Sequence, residues 1–359
     1  MPTLYLTEQY STVKKNGDCI VVQPPTWTRG KEKAVGAGVD ASLLETPVKT
    51  EAAAKVEVPL VKIDHVVVMG NITMTAPALY TLLENGISIC YLSAHGRYMG
   101  QLDPEFSKNA PLRIAQHQAH NDPTRRVALA RACVSGKLRN MRAVLLRAAR
   151  TRSEQDAALG AAAAILKESQ RRAEQATTVP ELLGHEGTGA AAYFGVFGSL
   201  LREGWVFTGR VRRPPTDPVN ALLSFGYALL TSQISAAVQL VGLDPFVGYL
   251  HVVRYGRPAL ALDLIEEFRA PIVDSVVLTV INNRILSPDD FTSELGAVTL
   301  MESGRRTYVQ RFEERLTSEI VHPIFGYKAT YRRCLELQVR LLAKTLTGEI
   351  EVYPPFVVR

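Results

Sequence analysis

Cysteine is scarce in this chain. Four residues, Cys19, Cys90, Cys133 and Cys334, stand in 359. They are widely separated and form no C-x-x-C pair, which argues against a cysteine-built metal site or a disulfide scaffold. They read as buried thiols in a reducing compartment. The first residues, MPTLYLTEQYSTVKK, contain no basic segment followed by an apolar one, so no signal peptide is evident. Apolar runs such as Ala161 to Leu166 are too short to span a bilayer. A cytoplasmic protein with no membrane contact is expected. The phosphate loop G-x-x-x-x-G-K-[ST] is absent, so ATP use is not indicated. No G-x-S-x-G elbow occurs and no cysteine has a catalytic context, which removes the usual Ser and Cys nucleophiles. No internal repeat is visible.

Acidic residues are absent from one long stretch. From Arg125 to Arg152 there are nine Lys or Arg and no Asp or Glu, within a chain whose formal charge is only +6. Such a block favours a polyanion such as DNA. The same stretch carries Val127, Leu129, Val134, Leu138, Leu145 and Leu146, a core stripe over which arginine stems can lie. One face can pack while the other meets phosphates.

With 47% hydrophobic residues the chain can bury a sizeable core. An α+β protein is expected, with an N-terminal β-rich domain and a larger all-helical domain carrying the functional site. Residues 1–98 read as strands, with Asn16-Gly17-Asp18 as a hairpin turn. Residues 28–54, rich in Gly, Ala, Lys and Glu, read as a flexible insert. Strand character resumes over VEVPLVKIDHVVVMG; Thr75 to Asn85 reads as a short helix and ISICYLS as a buried strand. A linker is expected over 99–110, a helical domain over 111–347 and a tail over 348–359. Helices are expected near 111–120, 124–150, 154–174, 188–203, 217–240, 258–268, 270–282, 288–293, 304–319 and 323–347. Asp217-Pro218 is a capped start. Pro354-Pro355 keeps the tail out of a helix; whether it packs or is disordered stays open.

The segment His251 to Asp274, HVVRYGRPALALDLIEEFRAPIVD, carries the most chemistry. It sets an imidazole, a basic turn (Tyr255-Gly256-Arg257-Pro258) and then a helix with Asp263 and Glu266. Three residues apart, those carboxylates share one helical face. Glu267 points about 100° away. Two carboxylates and an imidazole suit a divalent cation. Taken alone, D-x-x-E is more often a solvated face.

This segment resembles the metal-site segment of the CRISPR-associated integrases, the Cas-one family that inserts new spacers into CRISPR arrays. Two further segments are similar to the same family, in the same order: LLGHEGTGAAAYFGVF (Leu182 to Phe197) and RPPTDPVNALLSFGYALL (Arg213 to Leu230). The resemblance implies Glu186, His251 and Glu266 as ligands of Mg2+ or Mn2+, with Asp263 as a further acidic site residue. It leaves open whether Asp263 or Glu266 is the direct third ligand. It implies transesterification of a DNA 3′-hydroxyl onto a repeat phosphodiester. It also implies double-stranded DNA (prespacer and CRISPR repeat), a homodimer made by the β domain, and a small Cas-two partner completing a heterohexamer. A catalytically silent DNA-binding scaffold of the same fold, or a related transposon-type integrase, is the alternative.

Gly187 and Gly189 would let a DNA backbone approach Glu186. Arg210, Arg212, Arg213, Arg254 and Arg257 lie in candidate DNA-facing turns, and Arg257 could grip the scissile phosphate or close a helix-start ion pair. Lys137, Arg139 and Arg142 are weaker DNA-contact candidates. His117 and His120 read as a surface pair. His65, His185 and His322 read as structural, and Tyr193 and Tyr227 as core.

Overall fold

A computed structural model describes residues 3–25, 27–29, 47–49, 54–94, 96–104, 109–151, 157–211, 214–294 and 296–358. The chain divides into two compact units, Met1–Glu105 and Phe106–Arg359. The first is strand-rich and the second mainly helical.

The N-terminal unit contains β1 (Thr3–Leu6), β2 (Thr12–Asn16), β3 (Cys19–Gln23), β4 (Trp27–Arg29), β5 (Pro47–Lys49), β6 (Val56–Pro59), β7 (His65–Met69), β8 (Thr73–Met74), α1 (Ala76–Glu84), β9 (Ser88–Leu92) and β10 (Tyr98–Leu102). Two four-stranded sheets run in the orders β1-β7-β9-β10 and β6-β3-β2-β8. The hairpin between β2 and β3 turns at Gly17, whose φ of 57° is cheap only for glycine. All of β7 is buried, as befits a central strand paired in parallel on both sides. Val13, Ile20, Val66, Val68, Leu82 and Ile89 join in one core cluster. His65 shares a hydrogen bond with the Ser88 hydroxyl at 2.9 Å, a structural role. Most of the 28–54 insert lies outside the described residues; β4 and β5, which bracket its centre, pair antiparallel.

The second unit contains α2 (Ala110–Asn121), α3 (Pro123–Thr151), α4 (Ala157–Gln175), α5 (Val179–Phe197), α6 (Pro218–Val241), α7 (Ala259–Ile265), a π-helical turn (Arg269–Asp274), α8 (Ser275–Asn282), β11 (Phe291–Glu294), β12 (Ala297–Leu300), α9 (Glu302–Thr317), β13 (Glu319–Val321), β14 (Lys328–Thr330) and α10 (Tyr331–Leu346). It is not wholly helical. Of the helix expected over 288–293 only a single 3-10 turn, Pro288–Asp290, forms before the β11–β12 hairpin, and β14 of the β13–β14 hairpin takes the start of the helix expected over 323–347.

The helix expected over 188–203 runs instead from Val179 to Phe197. Thr178 and Glu181 form a reciprocal capping box, with Pro180 in the first turn, and together they start it nine residues early. Glu186 therefore sits inside a helix. Asp217 caps α6 by accepting from the Asn220 amide at 2.8 Å. By length and composition α6 is apolar enough to cross a membrane, unlike the short Ala161 to Leu166 run. In this fold 78% of its most apolar stretch is buried, as in a core helix.

Gly189 shows how α5 reaches α3. A Cβ there would stand 2.4 Å from the Leu138 methyl, so the two helices approach as they do only over a glycine. The expectation that Gly189 clears space for DNA gives way to this packing role. Nothing lies within 4 Å of a Cβ at Gly187.

Candidate metal centre

Four elements of the helical unit converge on one charged cluster. α3 supplies Lys137, α5 supplies Glu186, the loop after α6 supplies His251, and the end of α7 supplies Asp263 and Glu266. The Lys137 ammonium is ion-paired with Glu186 Oε1 and stands 2.6 Å from Glu266 Oε2. Arg269 Nε lies 3.1 Å from the same Glu266 oxygen. His251 Nε2 faces Glu266 Oε1 at 3.9 Å.

His251 owes its position to a chain of contacts. Gln116 on α2 donates to the Asp244 and Val247 carbonyls, both at 2.8 Å, and accepts from the Asp244 amide. His120, one turn further on, bonds the Gly248 carbonyl at 2.6 Å through Nδ1. Of the expected surface pair, His117 is exposed, whereas half-buried His120 helps pin the loop. A Cβ at Gly248 would fall 2.6 Å from Asp263 Oδ2, so the loop passes too close to α7 for any side chain there.

That close passage lets Asp263 gather the loop. Its Oδ2 accepts from the Tyr249 and Leu250 amides, and its Oδ1 from the His251 amide at 2.9 Å and the His251 ring at 2.7 Å. With both oxygens engaged, Asp263 acts as an orienting residue. It fixes the His251 ring through Nδ1 and turns Nε2 toward Glu266 Oε1. Asp263 is fully buried, whereas the His251 and Glu186 side chains are each 17% exposed and so can be reached from outside.

The charges around Glu266 are unequal in sign. Burial alone would raise its carboxyl, but the Arg269 guanidinium, then Lys137 and His251, outweigh burial and hold it below the usual carboxylate range. Its Oε2 has cations on two sides yet receives no hydrogen bond of normal geometry. Among the described residues no three His, Cys, Asp or Glu side chains are gathered tightly enough to hold a metal ion as they stand, because Lys137 lies between the two glutamates.

Behind this cluster lie two buried carboxylates. Glu267 accepts from the Phe356 amide at 2.6 Å, the Tyr353 hydroxyl at 2.9 Å and Gln338 at 3.1 Å. Burial pushes it up to about 8. The tail is thereby ordered against the protein's own core: Phe356 stacks on Phe268 with centroids 4.6 Å apart, and Asn140 bonds both the Phe356 carbonyl and the Val358 amide. Asp274 accepts from the hydroxyls of Tyr193 at 2.9 Å and Tyr227 at 2.6 Å, and burial pushes it up to about 6. The Arg269 guanidinium covers the Tyr227 ring at 4.4 Å. Arg269, Lys137 and Glu267 are the site-region residues whose roles sequence reasoning missed. For Arg269 a signal existed: it follows Glu266 by three on one helical turn.

The basic candidates divide. Lys137 is buried among carboxylates rather than displayed to solvent. Arg210 turns inward, donating to Asn220 and to the Ser224 hydroxyl, and lies over Tyr227. Arg126 and Arg131 are tied to the Tyr249 and Ala176 carbonyls. Arg139 and Arg254 are exposed, and Arg142 and Arg257 half-buried. Arg212 and Arg213 lie outside the described residues. His322 is buried and accepts weakly from backbone amides, a structural role, as expected.

Residues 4–314 match the family described as CRISPR associated protein Cas1. A relative from Thermus thermophilus, "CRISPR-associated endonuclease Cas1 3", is 42% identical over 84% of this chain and 88% of its own length. Among solved structures, a chain titled "Casposase bound to integration product" shares the fold, with TM-score 0.81 and 24% identity over 99% of this chain and 93% of its own. A chain from a "Cas6-RT-Cas1--Cas2 complex" aligns with TM-score 0.76 and 26% identity over 99% of this chain and 36% of its own. Three ordered motifs, the shared architecture and a family match over most of the length agree: this chain belongs to the Cas1 family of CRISPR-associated endonucleases.

Proposed function

We propose that Glu186, His251 and Glu266 hold one divalent cation, Mg2+ or Mn2+, and that the site joins a DNA 3′-hydroxyl to a CRISPR-repeat phosphodiester. One observation carries the reading. Glu186 and Glu266 meet on the one Lys137 ammonium, and His251 Nε2 faces Glu266 Oε1 at 3.9 Å. The donor set fits: two oxygen ligands and one nitrogen suit Mg2+ or Mn2+ and leave positions for substrate. Glu266 is favoured over Asp263 as third ligand because both Asp263 oxygens are already committed.

A cation bound there supplies charge that polarises the phosphodiester and stabilises the attacking and leaving oxygens. The protein's own groups do the rest. Asp263 keeps the His251 ring in one orientation and tautomer. Arg269 offsets the Glu266 charge from behind. Arg254 and Arg257, on the turn beside His251, take the phosphates of double-stranded DNA, with Arg139 adding to the field along α3.

The β-rich unit is proposed to pair two copies into a homodimer. A small Cas2-type partner, supported by the complex named above, would complete a heterohexamer by joining two such dimers. Two separated sites in one assembly suit joining both ends of a fragment to two strands of a repeat.

The test is strand joining of a 3′-hydroxyl duplex into a repeat-bearing plasmid with Mg2+ or Mn2+. His251→Ala or Glu186→Ala should reduce joining by about a thousandfold or more, the several kcal/mol that a bound cation contributes. Duplex affinity should change less than about threefold, since spread phosphate contacts supply it. A wild-type protein that binds DNA but never joins it would favour the silent scaffold.

A further inference from the structure

Lys137 touches the two carboxylate oxygens that a divalent cation at this site would need. Its ammonium lies on Glu186 Oε1 and at 2.6 Å from Glu266 Oε2, and its side chain is 5% exposed. Buried Glu266 and partly buried Glu186, from different helices, repel unless a cation stands between them. Lys137 is that cation, and Arg269 supports it from the far side of Glu266.

We propose that Lys137 is a resident counter-cation that a divalent cation must displace. The inference rests on the metal reading above and deepens it. The ammonium keeps Glu186 and Glu266 paired across α3, α5 and the end of α7. It gives up at least one of them as a divalent cation binds, so metal loading is weakened by competition for the same oxygens.

The two cations beside Glu266 are not equally able to move. Arg269 is pinned: its planar guanidinium covers the Tyr227 ring at 4.4 Å, and Tyr227 is itself fixed to Asp274. Lys137 carries a compact charge on four rotatable carbons. Its Nζ can leave the carboxylates while the helix stays in place on Leu138 and Gly189. A released ammonium would remain at the site, charged and available to a phosphate oxygen of DNA.

The sign of one measurement separates this role from a merely structural ion pair. Calorimetric titration with MnCl2 is run on the wild-type protein, on Lys137→Met, which keeps the apolar stem, and on His251→Ala. Displacement predicts that Lys137→Met binds Mn2+ about tenfold more tightly, equivalent to about 1.4 kcal/mol. Melting in EDTA should come at a lower temperature for Lys137→Met, and Mn2+ should raise its Tm further than it raises that of the wild type. Equal or weaker Mn2+ binding by a folded Lys137→Met protein overturns the proposal and leaves the metal site standing. Failure of the wild type to bind any Mn2+ that His251→Ala abolishes overturns the metal reading and this inference with it. The wild type alone gives a second measurement. In protein labelled with 13C at lysine Cε, Mg2+ should shift one buried-lysine signal, and should not do so in His251→Ala. An unmoved signal in wild-type protein saturated with Mg2+ contradicts displacement.

Discussion

Glu266 and Glu267 are neighbours in the chain, and both are buried, yet they meet opposite surroundings. Glu266 faces Lys137, Arg269 and His251 and is held as a carboxylate below its usual range. Glu267 faces only neutral donors, from Phe356, Tyr353 and Gln338, and burial pushes it up to about 8. Seven residues on, Asp274 accepts from two tyrosine hydroxyls, and burial raises it to about 6 against the pull of Arg269 and Arg210. The difference teaches where the protein keeps charge. Negative charge is retained where cations collect, on the side open to His251 and Glu186. On the other side a carboxyl group that accepts from neutral donors anchors the tail at Glu267 and the helix core at Asp274.

The largest effect should come from the charged side. Glu266→Gln keeps the shape and removes the charge; strand joining should fall by about a thousandfold, while Glu267→Gln stays within about tenfold of wild type in the same assay. Equal losses would erase the distinction between the two glutamates. On the tail side, Phe356→Ala removes a fully buried ring stacked on Phe268. It should cost roughly 3 to 5 kcal/mol in urea unfolding, as large core truncations do.

Asp274 adds a pH dependence. Its folded value, about 6, lies above its unfolded value of 3.8, so its contribution to stability is greatest below about 3.8 and is lost as pH rises to about 6. Asp274→Asn should flatten the urea midpoint between pH 4 and pH 6 relative to wild type. An unchanged slope would show that Asp274 is not held neutral by its site. The smallest effect belongs to exposed charge. Arg139→Gln should leave stability unaltered and lower the log–log salt slope of duplex binding by about 0.9. A change in melting with no change in slope would place Arg139 in the packing instead.

Much of the fold was legible because its signals are local. Asn16-Gly17-Asp18 needs no partner to announce a turn, and Asp217-Pro218 announces a helix start by itself. Where local signals conflict, the reading slipped. The glycines at 184, 187 and 189 masked the start of α5, although Thr178-Val-Pro-Glu181 was present as a cap. From Phe291 and up to Thr330, residues expected to be helical pair instead as strands of two short hairpins, a long-range pairing that apolar spacing alone does not announce.

The candidate site was legible as residue types in order, since His251, Asp263 and Glu266 fall within one short segment. Their division of labour was not. Asp263 and Glu266 share a helical face, and only the loop crossing over Gly248 decides that Asp263 is consumed by backbone amides. Lys137 lies 49 positions from Glu186, and as part of a basic run it reads as a surface residue. The tail's proline pair excluded a helix but could not disclose that Glu267 receives the Phe356 amide.

The central claim is that the cation is held by Glu186, His251 and Glu266, with Asp263 behind the imidazole. Crystals of the protein soaked in MnCl2 and measured for anomalous scattering test it most directly. One strong peak is expected about 2.0 to 2.3 Å from His251 Nε2 and from an oxygen of each glutamate, with none on Asp263. A peak coordinated by Asp263, or one elsewhere with the three side chains apart, would contradict it.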